Sequence, residues 1–288
     1  MASPSFTVKA FSALSDEATI KLMGEEFSNE LAYLQKANTT PEVQKHSTPN
    51  DNFTTPSKQL YQEDFVEVNR TLIGILALKW ILADDHQSFI QSQPPPVALK
   101  RESFTEFRNL CLEQFKDFEE GTGDVFPLLV AIVINDLGKS IGFTDEVEEK
   151  LSRQMENANH DEIVYIAAEQ GMVPCLQRLD KKVRDDVLLG LKLGATFNIA
   201  QFAQAENVPG SLKGAEVMVG HKDAFSLKFL EILFDVAGAS ANLDARGAKT
   251  MIEPVFRNYM MVHKVLIDVV DKKGTYRQNY DHLLEAHG

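Results

Sequence analysis

Leu128-Leu129-Val130-Ala131-Ile132-Val133-Ile134 runs directly into Asn135-Asp136-Leu137-Gly138-Lys139-Ser140. An unbroken apolar run reads either as a buried strand or as a helix that is apolar on every side, and its own periodicity does not separate the two. The flanking segments decide. They carry apolar residues at helical spacing, and none shows the alternation and hairpin turns of strands. The run is therefore expected to form a helix from Phe126 to Ile134 at the centre of an all-α protein. It delivers an amide, an acid and a lysine to the end of a buried segment, where an unpaired charge is costly and usually has a partner or a task.

Working outward, a helix is expected after Thr144 and another after Asn159, with Asp161 and Glu162 in its first turn and Gly171 at its end. Leu176 to Gln204 reads as one or two helices. Asn207-Val208-Pro209-Gly210 is a turn. Further helices span Ala224–Val236 and about Ala245–Val270, the second with Pro254 early, and the tail beyond Gly274 is polar. Upstream, Ser103 and Glu106 form a capping box that opens a helix with a stripe of Phe104, Phe107, Cys111, Phe115 and Phe118. A helix covers about Glu63–Asp85, and Pro94-Pro95-Pro96 bars its continuation. Ile20, Met23, Phe27, Leu31 and Leu34 mark a helix that begins at Asp16, and residues 1–14 read as a loose arm. Residues 37–58, with Pro41, Pro49 and Pro56, read as a polar linker or lid. The expectation is a bundle of about ten helices, divided into an N-terminal helix with its linker (1–58) and a helical domain (59–288).

Composition narrows the function. Of 288 residues, 44% are hydrophobic, and 42 acids against 29 bases give a net charge of −13. That balance, with no basic stripe, argues against a nucleic-acid partner. Two cysteines, Cys111 and Cys175, are too few for a disulfide framework and fit a reducing, cytoplasmic setting. The first residues do not form a secretory leader, and the longest apolar run, Leu72–Leu82, is interrupted by Lys79 and too short to cross a membrane. Gly-x-Ser-x-Gly, His-Glu-x-x-His, the phosphate-binding Gly-rich loop and the dinucleotide fingerprint are absent. Asp84-Asp85-His86 is a partial echo of the aspartate-rich metal box of helical terpene cyclases.

Asn135-Asp136-Leu137-Gly138-Lys139 resembles the signature of the HD-domain superfamily, His-Asp followed by an aliphatic residue, Gly and Lys. The resemblance implies an all-helical bundle in which the His-Asp pair, carried by a central helix, binds metal. It implies further ligands too: a histidine from an earlier helix (His86), a histidine after the motif (His160) and a late aspartate (Asp235, then Asp268). Asn135 stands where the defining histidine belongs, and an amide oxygen is a weak ligand for a transition metal. The leading expectation is thus a degenerate HD-like enzyme without a cofactor. It would confine an apolar small molecule and promote isomerisation or cyclisation, of pericyclic Diels–Alder type among others. Asn135, Asp136, Lys139 and His160 are its candidate catalytic groups. The alternative is a metal-dependent phosphohydrolase or iron oxygenase holding Fe or Mn through His86, Asp136, His160 and Asp235. A second alternative is a non-catalytic helical binding protein. Structural roles compete for the same residues: an Asp136–Lys139 ion pair capped by Gly138, first-turn acids beside His160, a solvated loop for His221, and a core position for His263.

Overall fold

The computed structural model describes residues 6–37, 54–115, 123–205 and 207–287. Its elements are helices; the described residues hold no strand and only isolated β-bridges, Thr7 with Asp124 and Ala37 with Ser140. They contain more helices than the ten or so expected. Most of the 37–58 linker, and Phe118, lie outside the described residues.

Three helices that are apolar nearly all round form the centre. Helix α5 is Val66–Leu82, α8 is Phe126–Ile134 and α13 is Lys222–Gly238. In α8 Phe126 and every residue from Leu128 to Ile134 are buried, and Pro127 sits in the first turn, where a missing N–H costs nothing. Helices α5 and α13 cross antiparallel through two glycines. A Cβ on Gly74 would lie 2.6 Å from the Phe234 carbonyl oxygen, and one on Gly238 would collide with the carbonyl oxygen of Arg70. The backbones therefore approach more closely than any side chain would permit.

Smaller helices clad this centre. On one side lie α1 (Val8–Ser12), α2 (Asp16–Glu26), α3 (Ser28–Leu34) and α4 (Pro56–Tyr61). Helices α6 (His86–Ile90) and α7 (Arg101–Gln114) pack on α5. Helix α9 (Ile141–Leu151) follows the motif, α10 (His160–Glu169) packs on α11 (Lys181–Thr196), and α11 packs on α13. Helix α12 (Ile199–Ala203) rests on α14 (Glu253–Val270), and α15 (Tyr276–His287) closes the chain. Buried apolar side chains from Phe6 to Leu283 form one cluster, with residues on both sides of position 58 in it.

Several local expectations change. Residues 6–14 are not a loose arm: Phe6, Val8 and Phe11 are buried, and Thr7 caps α1. Ser103 is no N-cap; α7 begins at Arg101, and the buried Ser103 hydroxyl donates to Glu253 at 2.7 Å. Helix α9 starts at Ile141 rather than after Thr144. The polar tail is helical, because one face of α15 buries Tyr280 and Leu283. In each case tertiary burial or a distant polar partner outweighs the local signal.

Candidate functional site

The ends of four helices meet beside α8. Glu67 lies in the first turn of α5, where the helix dipole favours an acid, and Arg70 follows it on the same face. Arg70 donates to Glu67 at 3.0 Å and approaches Asp235 of α13 at 3.7 Å. After α8 the chain makes a single 3-10 turn, Leu137–Lys139, which brings the Lys139 ammonium back onto the Asp136 carboxylate at 2.7 Å and within 3.3 Å of Glu67. Gly138 does not cap a helix in a left-handed conformation. It permits close packing instead: a Cβ there would collide with the His160 carbonyl oxygen.

Asn159 caps α10, its side-chain oxygen accepting from the Glu162 N–H at 2.8 Å, as the sequence suggests. The cap sets His160 with Nε2 3.7 Å from Asp136 Oδ1 and 3.6 Å from Asp161 Oδ2. From α13, Lys228 reaches Glu231 at 2.5 Å, Asn135 Oδ1 at 3.3 Å and Asp161 Oδ1 at 3.7 Å. Glycines on α11 make room: a Cβ on Gly194 would sit 2.5 Å from Asp161 Oδ1, and one on Gly190 3.2 Å from the Lys228 stem.

Five carboxyl groups (Glu67, Asp136, Asp161, Glu231 and Asp235) thus share three permanent cations, Arg70, Lys139 and Lys228. Their proton affinities separate accordingly. Burial works against an ionised Asp136, but Lys139 and Arg70 outweigh it and hold this carboxyl below its usual value. Burial and then the Asp136 charge raise the Glu67 carboxyl above its usual value. Burial, then Asp136, likewise raises Asp235. Burial pushes Glu231 up to about 8. Lys228 stays the charged member of its pair, because Glu231 and Asp161 more than offset the burial that disfavours its charge.

A cavity of about 580 Å³ opens against this network, a size suited to a small molecule. Asn135, His160, Asp161, Lys228, Glu231 and Asp235 form its polar side. Leu193, Phe197, Ile199, Ile232, Val236 and Tyr259 supply its apolar surface. Asp235 combines two properties: its carboxyl is raised by burial, yet 35% of its side-chain surface is open. That surface faces the cavity. Burial, and then the charge of Asp235, pushes the Tyr259 hydroxyl up to about 12, so it remains a neutral donor.

Of the sequence candidates, Asn135 and His160 line the cavity, and Asp235 joins them. Asp136 and Lys139 lie behind its wall and brace it. His86 is elsewhere: its Nε2 bonds the Leu99 carbonyl oxygen at 2.7 Å and its ring packs on Phe104. Asp268 is also elsewhere, beside Lys273 at 3.7 Å. The metal that the resemblance implies does not fit these residues. Asp136 is already engaged by Lys139, Asn135 by Lys228, and His86 does not converge. Among the described residues no group of three or more His, Cys, Asp or Glu has metal-holding geometry.

Sequence reasoning missed Glu67, Arg70, Lys228, Glu231 and Tyr259. A signal existed for four of them: charged residues three apart on helices otherwise apolar all round, with Asp235 completing the face of α13 that carries Lys228 and Glu231. The model of a family of unknown function, DUF6829, matches residues 20–288. The chain belongs to that family. Every residue of the network and the cavity lies within the matched span. No curated protein matches significantly, and neither does any solved structure. No described helix is long and apolar enough to cross a membrane.

Proposed function

We propose that the chain is a small-molecule enzyme on an HD-like helical scaffold, acting without a cofactor to isomerise or cyclise a molecule with a polar head and an apolar body. The observation that carries this is the selective opening of two titratable groups. His160 keeps 39% of its side-chain surface open and Asp235 35%, while the other charged groups on the wall are more covered, with 16% of Asp161, 6% of Lys228 and 2% of Glu231 open. In the reaction the cavity confines one reactive conformer. His160 takes a proton from one atom of the substrate and returns it to another, and Asn135 or Tyr259 polarises an oxygen on which charge develops. Lys139 and Arg70 offset the carboxylates behind the wall, so the polar side of the site is held together by ion pairs. The Asn-Asp pair, His160 and Asp235 come together in the chain order that the HD resemblance implies, whereas His86, its early-helix histidine, lies on the Leu99 carbonyl oxygen. Two free, buried cysteines favour a reducing, cytoplasmic setting.

The test is incubation of the purified protein with small-molecule extracts, read by chromatography and mass spectrometry. Isomerisation predicts a compound consumed and another of identical mass formed, at rates at least tenfold lower in His160→Gln. Equal conversion by His160→Gln refutes the assigned role. Saturable binding with no conversion makes the chain a binding protein instead.

A further inference from the structure

The charge balance of the cavity wall specifies what its ligand brings. The cation on that wall among the described residues, Lys228, is covered and already engaged by Glu231, Asn135 and Asp161. It leaves nothing for a carboxylate or phosphate head to bind. Carboxyl oxygens are in surplus instead. Glu231, 2% exposed, lines the cavity and leaves Oε1 without a hydrogen bond, and Asp161 Oδ1 also has none. Asp235 is open to the cavity, and its ion-pair partner, Arg70, stands 3.7 Å away. The aromatic ring of Tyr259 also lines the cavity, and such a ring attracts a cation to its face.

We propose that the substrate is an amine, bound as its ammonium ion with the nitrogen on Asp235 and the hydrocarbon body against Tyr259, Phe197 and Ile232. This rests on the cavity being the substrate site and names the substrate's class. Asp235 is the carboxyl of the network that lines the cavity with 35% of its side-chain surface open; the ammonium pairs with it and donates its N–H groups to it. A neutral alcohol supplies a donor without the charge. An anion of the same shape meets Asp235 and Asp161 and is repelled.

The experiment is calorimetric titration of the full chain near neutral pH with 2-phenylethylamine, 2-phenylethanol and 3-phenylpropanoate. The amine is expected to bind saturably and the other two at least tenfold more weakly. Asp235→Asn is expected to weaken the amine by tenfold or more, while Asp268→Asn, whose carboxylate lies outside the cavity, leaves it unchanged. Should Asp235→Asn fold poorly, Tyr259→Leu is the second variant, with a severalfold loss expected. Binding of the alcohol or the carboxylate in place of the amine overturns the amine assignment and leaves the cavity a small-molecule site. Equal affinity in wild type and Asp235→Asn overturns it as well. No binding by any of the three overturns both the amine assignment and the use of this cavity.

Discussion

Asp136→Ala probes whether the network behind the cavity holds the fold together. Asp136 is 4% exposed, bonded to Lys139 at 2.7 Å and hydrogen-bonded to Glu67, with His160 Nε2 at 3.7 Å. Removing the carboxylate leaves Lys139 and Arg70 facing Glu67 and Asp235 alone. Breaking one side of a buried pair costs about 3–5 kcal/mol. At roughly 2 °C per kcal/mol for a chain of this length, the midpoint should fall by about 6–10 °C. Asp136→Asn should cost less, about 1.5–3 kcal/mol, the range for a hydrogen bond to a charged group. The amide keeps the shape. Asp136→Ala combined with Lys139→Met should recover part of the loss, with a coupling of about 0.5–3 kcal/mol. Urea unfolding followed by circular dichroism and by tryptophan fluorescence supplies the free energies, with an unchanged m-value confirming the comparison. A cost below about 1 kcal/mol for Asp136→Ala, the range of exposed pairs, would refute the reasoning.

Two further outcomes are expected. Gly138→Ala drives a Cβ into the His160 carbonyl oxygen and should cost about 1–3 kcal/mol. Gly142→Ala, inside α9 with open space around it, should gain about 0.5–1 kcal/mol; thermal melts of the pair compare them, and equal effects would show that the loop has room at Gly138. His263 packs between Phe229 (4.6 Å) and Phe225 (5.7 Å), and burial lowers its imidazole below the usual 6.5. The unfolded chain then binds the proton more readily than the folded one. Its contribution is therefore complete above pH 6.5 and is lost as the pH falls through the depressed folded value. Stability measured between pH 7 and 5 should fall less steeply in His263→Phe than in wild type, and parallel curves would remove His263 from the titration.

The sequence by itself determined the helical class, the central place of α8, the start of α10 at Asn159 and the pairing of Asp136 with Lys139. These follow from interactions within one or two turns: helical spacing of apolar residues, a side chain capping its own helix, charges three positions apart. Tertiary structure alone decided which charges from different helices meet. Glu67 and Lys139 are 72 positions apart, and their contact depends on α8 and its following turn packing beside α5. Lys228, Glu231 and Asp235 read locally as a polar face on α13. They become a cavity wall because Gly74 and Gly238 let α13 lie against α5, and because Gly190 and Gly194 let α11 close over Lys228 and Asp161. The same packing places Asp136 behind that wall and leaves His86 on the Leu99 carbonyl oxygen. A residue's own neighbours in sequence set its helix and its face; which distant helix that face meets is set by backbone approach across the core.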